Sequence, residues 1–128
     1  MEDQITAENV REVLDAVPAL TYFGFRSPDS DNYAAERAEL VGERGLAEIQ
    51  FCRDWLRTAR LTARAGVKSP SSYWIKHVAE RVRGEYIANG SLIVAALLAG
   101  VPAKQQGVNA RVAVSRKWLD KVSQETPR

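Results

Sequence analysis

Cysteine and histidine are almost missing from this 128-residue chain, which has one of each, Cys52 and His77. A lone cysteine makes no internal disulfide, which excludes a disulfide scaffold and agrees with a reducing cytoplasm. One cysteine and one histidine also leave a Cys/His zinc site without ligands. Neither metal nor cofactor is expected. Long apolar runs are missing too: the longest, Leu92 to Ala99, falls far short of a bilayer span. No apolar segment follows the acidic Met1-Glu2-Asp3-Gln4, so no secretory signal is expected and the expected setting is the cytoplasm. Gly-rich phosphate loops of the Walker or dinucleotide type are absent. Catalysis has little to stand on: the only histidine-carboxylate neighbours are His77 and Glu80, one helical turn apart, a common structural pair. The chain is therefore not expected to be an enzyme.

What is present is ordinary in amount and uneven in arrangement. Apolar residues make up 45% and charged residues 27%, the composition of a soluble globular domain. The length suits one domain, and no linker or repeat divides it. The net charge of +2 hides a strong asymmetry. Residues 1–50 carry 11 acidic and 4 basic side chains, whereas residues 51–128 carry 5 acidic and 14 basic ones. Such halves either neutralise each other or offer a basic face to an anionic partner, nucleic acid being the commonest.

Hydrophobic spacing places the elements. Thr6 caps a first helix with Val10, Val13, Leu14 and Val17 inward, ended by Pro18. Ala19 to Phe25 reads as a buried connector or short strand, and residues 27–32 as a loop. Tyr33 to Arg64 reads as helix, interrupted near Gly42 and Gly45 and closed by Gly66. In its second half Arg53, Arg57, Arg60 and Arg64 fall on one stripe. Ser69-Pro70 starts another helix, which ends at Asn89-Gly90; its apolar face is Ile75, Val78, Ala79, Val82 and Tyr86, and Lys76, Glu80 and Arg83 lie opposite. Asn89-Gly90-Ser91 matches a glycosylation sequon but reads as a turn and a cap. Leu92 to Ala99 is apolar all round and must be buried, in a monomer core or in a homodimer interface. Val108, Ala110, Val112 and Val114 alternate as a short strand, and Ser115 caps a last helix to about Gln124. The fold expected is mainly α: five or six helices in one domain, with at most a short strand or wing near 108–114.

The arginine stripe, extended by Lys68, suits phosphates, because guanidinium donors form a planar fork. Tyr73 and Lys76 set an aromatic beside a cation, as base stacking requires. Lys104, Arg111, Arg116 and Lys117 would add to the basic surface, as would Arg83. Ala95 to Ala103 looks like the first helix and turn of a helix-turn-helix, and Val114-Ser115-Arg116 like part of a recognition helix. About ten residues intervene, however, and the valine alternation argues against a continuous second helix.

A wider pattern runs through Cys52-Arg53, Trp55-Leu56, Ser72-Tyr73, Lys76-His77, Glu80, Tyr86-Ile87, Asn89-Gly90, Leu92-Ile93, Ala95-Ala96, Gly100 and Asn109-Ala110. Over residues 50–115 the chain resembles small uncharacterised bacterial proteins encoded on phages, plasmids and integrative elements. The resemblance implies a mobile-element setting and marks Tyr73, Lys76, His77 and Glu80 as a surface. It implies no activity. Two expectations follow. One is nucleic-acid binding, DNA before RNA, through the arginine helix. The other is a protein–protein module acting on a host protein through the acidic half, with Glu36, Glu39, Glu43 and Glu48 as its face. No membrane partner is expected.

Overall fold

The computed structural model describes residues 3–127; Met1, Glu2 and Arg128, counted in the charges above, lie outside them. Helix α1 (Ala7–Ala16) begins as expected: Thr6 Oγ1 accepts the Asn9 N–H at 3.1 Å and Asn9 Oδ1 accepts the Thr6 N–H at 3.0 Å. This reciprocal cap satisfies two of the amides that a helix start leaves free. Val10 and Leu14 point inward. The far end has no basic residue of its own. Arg37 covers it instead, donating to the Leu14, Pro18 and Leu20 carbonyls at 2.9 Å each.

The connector after α1 is a minimal antiparallel hairpin, β1 (Leu20–Thr21) against β2 (Gly24–Phe25). Helices α2 (Tyr33–Leu40) and α3 (Glu43–Leu56) follow, broken at Val41-Gly42 as the glycines suggested. The corner is tight: a Cβ on Gly45 would lie 2.3 Å from the Glu39 carbonyl oxygen.

Helix α3 stops at Leu56, eight residues before the expected end at Arg64. The Thr58 hydroxyl takes the Trp55 carbonyl at 2.7 Å, and the chain then leaves to pair elsewhere. Gly66 therefore closes no helix. Helix α4 (Ser72–Arg83) is capped by Ser71, not Ser69, and ends at Gly84 in the left-handed conformation, φ 82°, before the expected Asn89-Gly90. Glycine adopts that conformation without steric cost.

Asn89-Gly90-Ser91, expected as a turn and a cap, is instead the first turn of α5 (Asn89–Leu98), whose N-cap is Ala88. Every residue from Asn89 to Ala96 is buried within the chain, which places this stretch in the core, while Leu97 to Ala99 are only partly buried. It packs on α1, α3, α4 and strands of both hairpins.

A second hairpin pairs β3 (Ala103–Gln106) with β4 (Asn109–Val112) around Gly107-Val108. Only β4 was legible, since β3 is polar and exposed. This hairpin stands where a helix-turn-helix would need continuous helix. Helix α6 (Arg116–Glu125) closes the fold, with Ser115 Oγ accepting the Trp118 N–H at 3.2 Å. The architecture is thus mainly α: among the described residues, six helices and two small two-stranded sheets surround one hydrophobic cluster that draws on all six helices. None of these helices is long and apolar enough to cross a membrane.

Candidate nucleic-acid interface

The residues between α3 and α4 form neither helix nor free loop. They lie along the chain that leaves β4. Ser115 N–H donates to the Arg60 carbonyl at 2.7 Å, Thr62 N–H to that of Ala113 at 2.9 Å, and Val112 N–H to that of Pro70 at 3.0 Å. Leu61 bridges Val114 and Ser71 bridges Arg111. Between these attachments the chain bulges to a turn at Gly66–Ser69. That turn is closed by Ser69 N–H on the Gly66 carbonyl and by Gly66 N–H on Ser69 Oγ. Arg111 and Arg116 clamp it from below, donating to the Ser69 carbonyl at 2.9 Å and the Lys68 carbonyl at 3.2 Å.

This geometry redistributes the expected arginine stripe. Arg53 is buried and held by Asp3 and Asp54, its Nε 3.0 Å from Asp54 Oδ1. Arg57 pairs with Asp3, and this hydrogen bond is the main reason that the Asp3 carboxyl sits below its usual range. Both belong to the α3 terminus and its ion pairs. Arg60 and Arg64 lie outside any helix, exposed on the pinned segment with Lys68. The striped helix is thus replaced by a basic segment.

Other expected contacts divide in the same way. Arg83 is half-buried, pairing with Glu85 at 3.4 Å and donating to the Tyr86 carbonyl at 3.0 Å. Lys76, expected to face solvent, is buried and paired with Glu80 at 2.9 Å. The cause is the turn after α4, which folds back so that Ile87 N–H reaches Glu80 Oε2 at 3.1 Å. His77 does touch Glu80, Nδ1 to Oε1 at 3.0 Å. Tyr73 is exposed, while Trp74 is half-buried under the Arg116 guanidinium, 5.1 Å from its ring centroid.

What remains lines two basic depressions, linked by the chain at 114–117. A depression of about 540 Å³ carries Arg64, Lys68 and Arg116 on its wall. A second, of about 410 Å³, is lined by Arg60, Ser115, Lys117, Trp118 and Lys121. Neither wall includes a carboxylate. Among the described residues, Arg60, Arg64, Lys68, Arg116, Lys117 and Lys121 make no ion pair. Lys104 and Arg111 face each other across the second hairpin and join these cations through the Arg111–Ser69 contact.

Part of this placement is electrostatically unfavourable. Arg116 and Lys117 occupy the first turn of α6, where helix dipoles repel positive charge, and no acidic residue sits there. Lys117 and Lys121 are one turn apart on the same helix, and Lys104 opposes Arg111 directly across strands. Lys121 was missed in the sequence, although its four-residue step from Lys117 was the available signal.

The four glutamates named for an acidic face differ in their surroundings. Glu48 is buried, Glu36 pairs with Arg26 at 3.3 Å, and Glu39 lies 3.9 Å from Arg44. Glu43 alone of the four named glutamates is exposed without an ion-pair partner among the described residues. Comparison with protein-family models, with curated proteins and with solved structures finds no match to this chain.

Proposed function

We propose that this chain binds nucleic acid, the phosphates lying along the basic segment 60–70 and the first turns of α6. The observation that carries the reading is the unpaired cation cluster. Arg60, Arg64, Lys68, Arg116, Lys117 and Lys121 come from two separate stretches of chain and line two depressions whose walls carry no carboxylate. Their mutual repulsion and the α6 dipole weaken the fold locally, so an anionic ligand would relieve a cost that folding alone does not. Lys104 and Arg111 on the hairpin extend the same surface. The pinned backbone keeps the cations in place, which lowers the entropy lost on binding. The mobile-element setting implied by the resemblance is part of this reading, as is DNA rather than RNA as the ligand.

Affinity on such a face is electrostatic. If about five to eight phosphates are neutralised, it should fall about 10³- to 10⁴-fold between 50 and 200 mM salt. The test is anisotropy titration of labelled mixed-sequence DNA and RNA, single- and double-stranded, at both salt concentrations. A variant carrying Arg60→Glu and Lys117→Glu should lose binding while keeping its circular dichroism. Binding by that variant equal to the native chain's would overturn the reading.

A further inference from the structure

Two of the most exposed aromatic side chains lie away from the basic depressions, on α4 and the turn after it. Tyr73 is 54% exposed and Tyr86 52%. Both rings address one ammonium: Lys76 Nζ lies 4.6 Å from the Tyr86 centroid and 5.8 Å from that of Tyr73. His77 meets the Tyr73 ring edge-on with centroids 4.5 Å apart. Single exposed tyrosines are ordinary. Two rings fixed by a shared buried cation, with more than half of each still in water, call for another account.

Lys76 is not free to serve phosphate. It is 6% exposed and its charge is answered by Glu80. What it does is orient the rings, an electrostatic attraction between ammonium and ring face. Glu80 ties the same cluster to the backbone through Ile87 N–H, and Arg83 holds the Tyr86 carbonyl. Both tyrosines therefore stand on fixed backbone.

We infer that Tyr73 and Tyr86 are a stacking platform for unpaired bases, so that the ligand of the basic face is a single strand. The inference rests on the nucleic-acid reading above. Stacking needs an open base face, which a base inside a duplex does not offer. The position fits, because Tyr73 follows the basic segment directly. It lies five positions beyond Lys68, at most about 18 Å of chain. A strand whose phosphates follow Arg64 and Lys68 needs only a few more nucleotides to bring a base to Tyr73.

The experiment compares a fluorescein-labelled mixed-sequence single strand with a duplex of the same length, at one salt concentration. The native chain should bind the single strand at least about tenfold more tightly. Tyr73→Leu and Tyr86→Leu should each weaken that complex by about fivefold to a hundredfold, with the salt slope unchanged and duplex affinity unaltered. Tyr73→Phe and Tyr86→Phe keep the rings and should keep the affinity, which separates stacking from loss of a hydroxyl contact. Circular dichroism checks that each variant is folded. Leucine variants that bind the single strand like the native chain would overturn the inference, as would equal native affinity for both probes. If that happens while Arg60→Glu with Lys117→Glu still abolishes binding, the platform alone falls. If the native chain binds neither probe, both readings fall.

Discussion

Glu48 Oε1 accepts the Ser91 hydroxyl at 2.8 Å across 43 positions of sequence, inside the core. The same oxygen takes the Ala88 N–H at 3.1 Å, and Oε2 takes the Tyr22 hydroxyl at 2.8 Å. Burial, and next the Glu48 carboxylate beside it, push the Tyr22 phenol far above its ordinary range. A buried carboxylate is costly unless its lone pairs are filled, and here three donors and the start of α5 fill them.

Glu48→Ala should therefore destabilise the fold severely, by about 3–5 kcal/mol, because three buried donors lose their acceptor. Glu48→Gln keeps the shape and should cost about 1–3 kcal/mol. Urea denaturation of both variants checks the order. A Glu48→Ala variant as stable as the native chain would mean that the network does not hold α5 to α3.

Gly90 is needed for close approach. A Cβ there would sit 1.8 Å from the Thr21 carbonyl oxygen and 2.6 Å from that of Tyr22. Gly90 N–H donates to that Tyr22 oxygen at 2.8 Å, so α5 and the first hairpin meet backbone to backbone. Gly90→Ala should leave little folded protein at 37 °C, with a loss of several kcal/mol. Gly66→Ala is the control: nothing lies within 4 Å of its Cβ, and it should be neutral by thermal melting.

Glu80 gives the fold an acid limb. Partial burial alone would raise its pKa, but hydrogen bonds from Lys76 and Ile87 N–H outweigh this and hold it below the ordinary 4.5. The folded value is thus the lower one. Its contribution is complete above 4.5 and is lost as pH falls through the folded value. Glu80→Gln should lower stability at neutral pH and flatten its decline below 4.5. Urea midpoints across that window give the comparison, and parallel curves for the two proteins would contradict the pairing.

Lys117 should separate stability from binding. Lys117→Glu places an acid where the α6 dipole favours one and removes the repulsion from Lys121, so the melting temperature should rise by about 1–3 °C. Nucleic-acid affinity should fall in the same variant, and the salt slope should shrink by about 1 or more. A lower melting temperature would show that Lys117 supports the fold instead.

The helices were largely legible, and so were the caps Thr6 and Ser115, because these are local. Thr6 with Asn9, and Ser115 before Trp118, announce helix starts within one turn of sequence. Leu92 to Ala96 announces burial through unbroken apolarity. The early end of α3 was hidden because its cause lies far away. Arg60 and Thr62 leave the helix to bond residues 113–115, and propensity reads no such partner. The same holds for Lys76, which the helical wheel sends to solvent until the 84–87 turn folds over it. In the candidate site, the residue types were visible before the shape was. Arg60, Arg64, Lys68, Arg116 and Lys117 stood out by charge, but Arg53 and Arg57 stood out equally. Asp54 beside Arg53 and Asp3, fifty residues upstream of it, separate the two groups.

The enclosure of α5 from Asn89 to Ala96 makes that stretch a gauge of the whole molecule. Its amides have no local route to solvent and should exchange hydrogen only when the entire fold opens. A ligand on the basic face, which α5 does not line, would still slow that exchange, since any partner that favours the folded state raises the free energy of opening. Deuterium uptake along residues 92–96 would then report occupancy of a surface that those residues never reach.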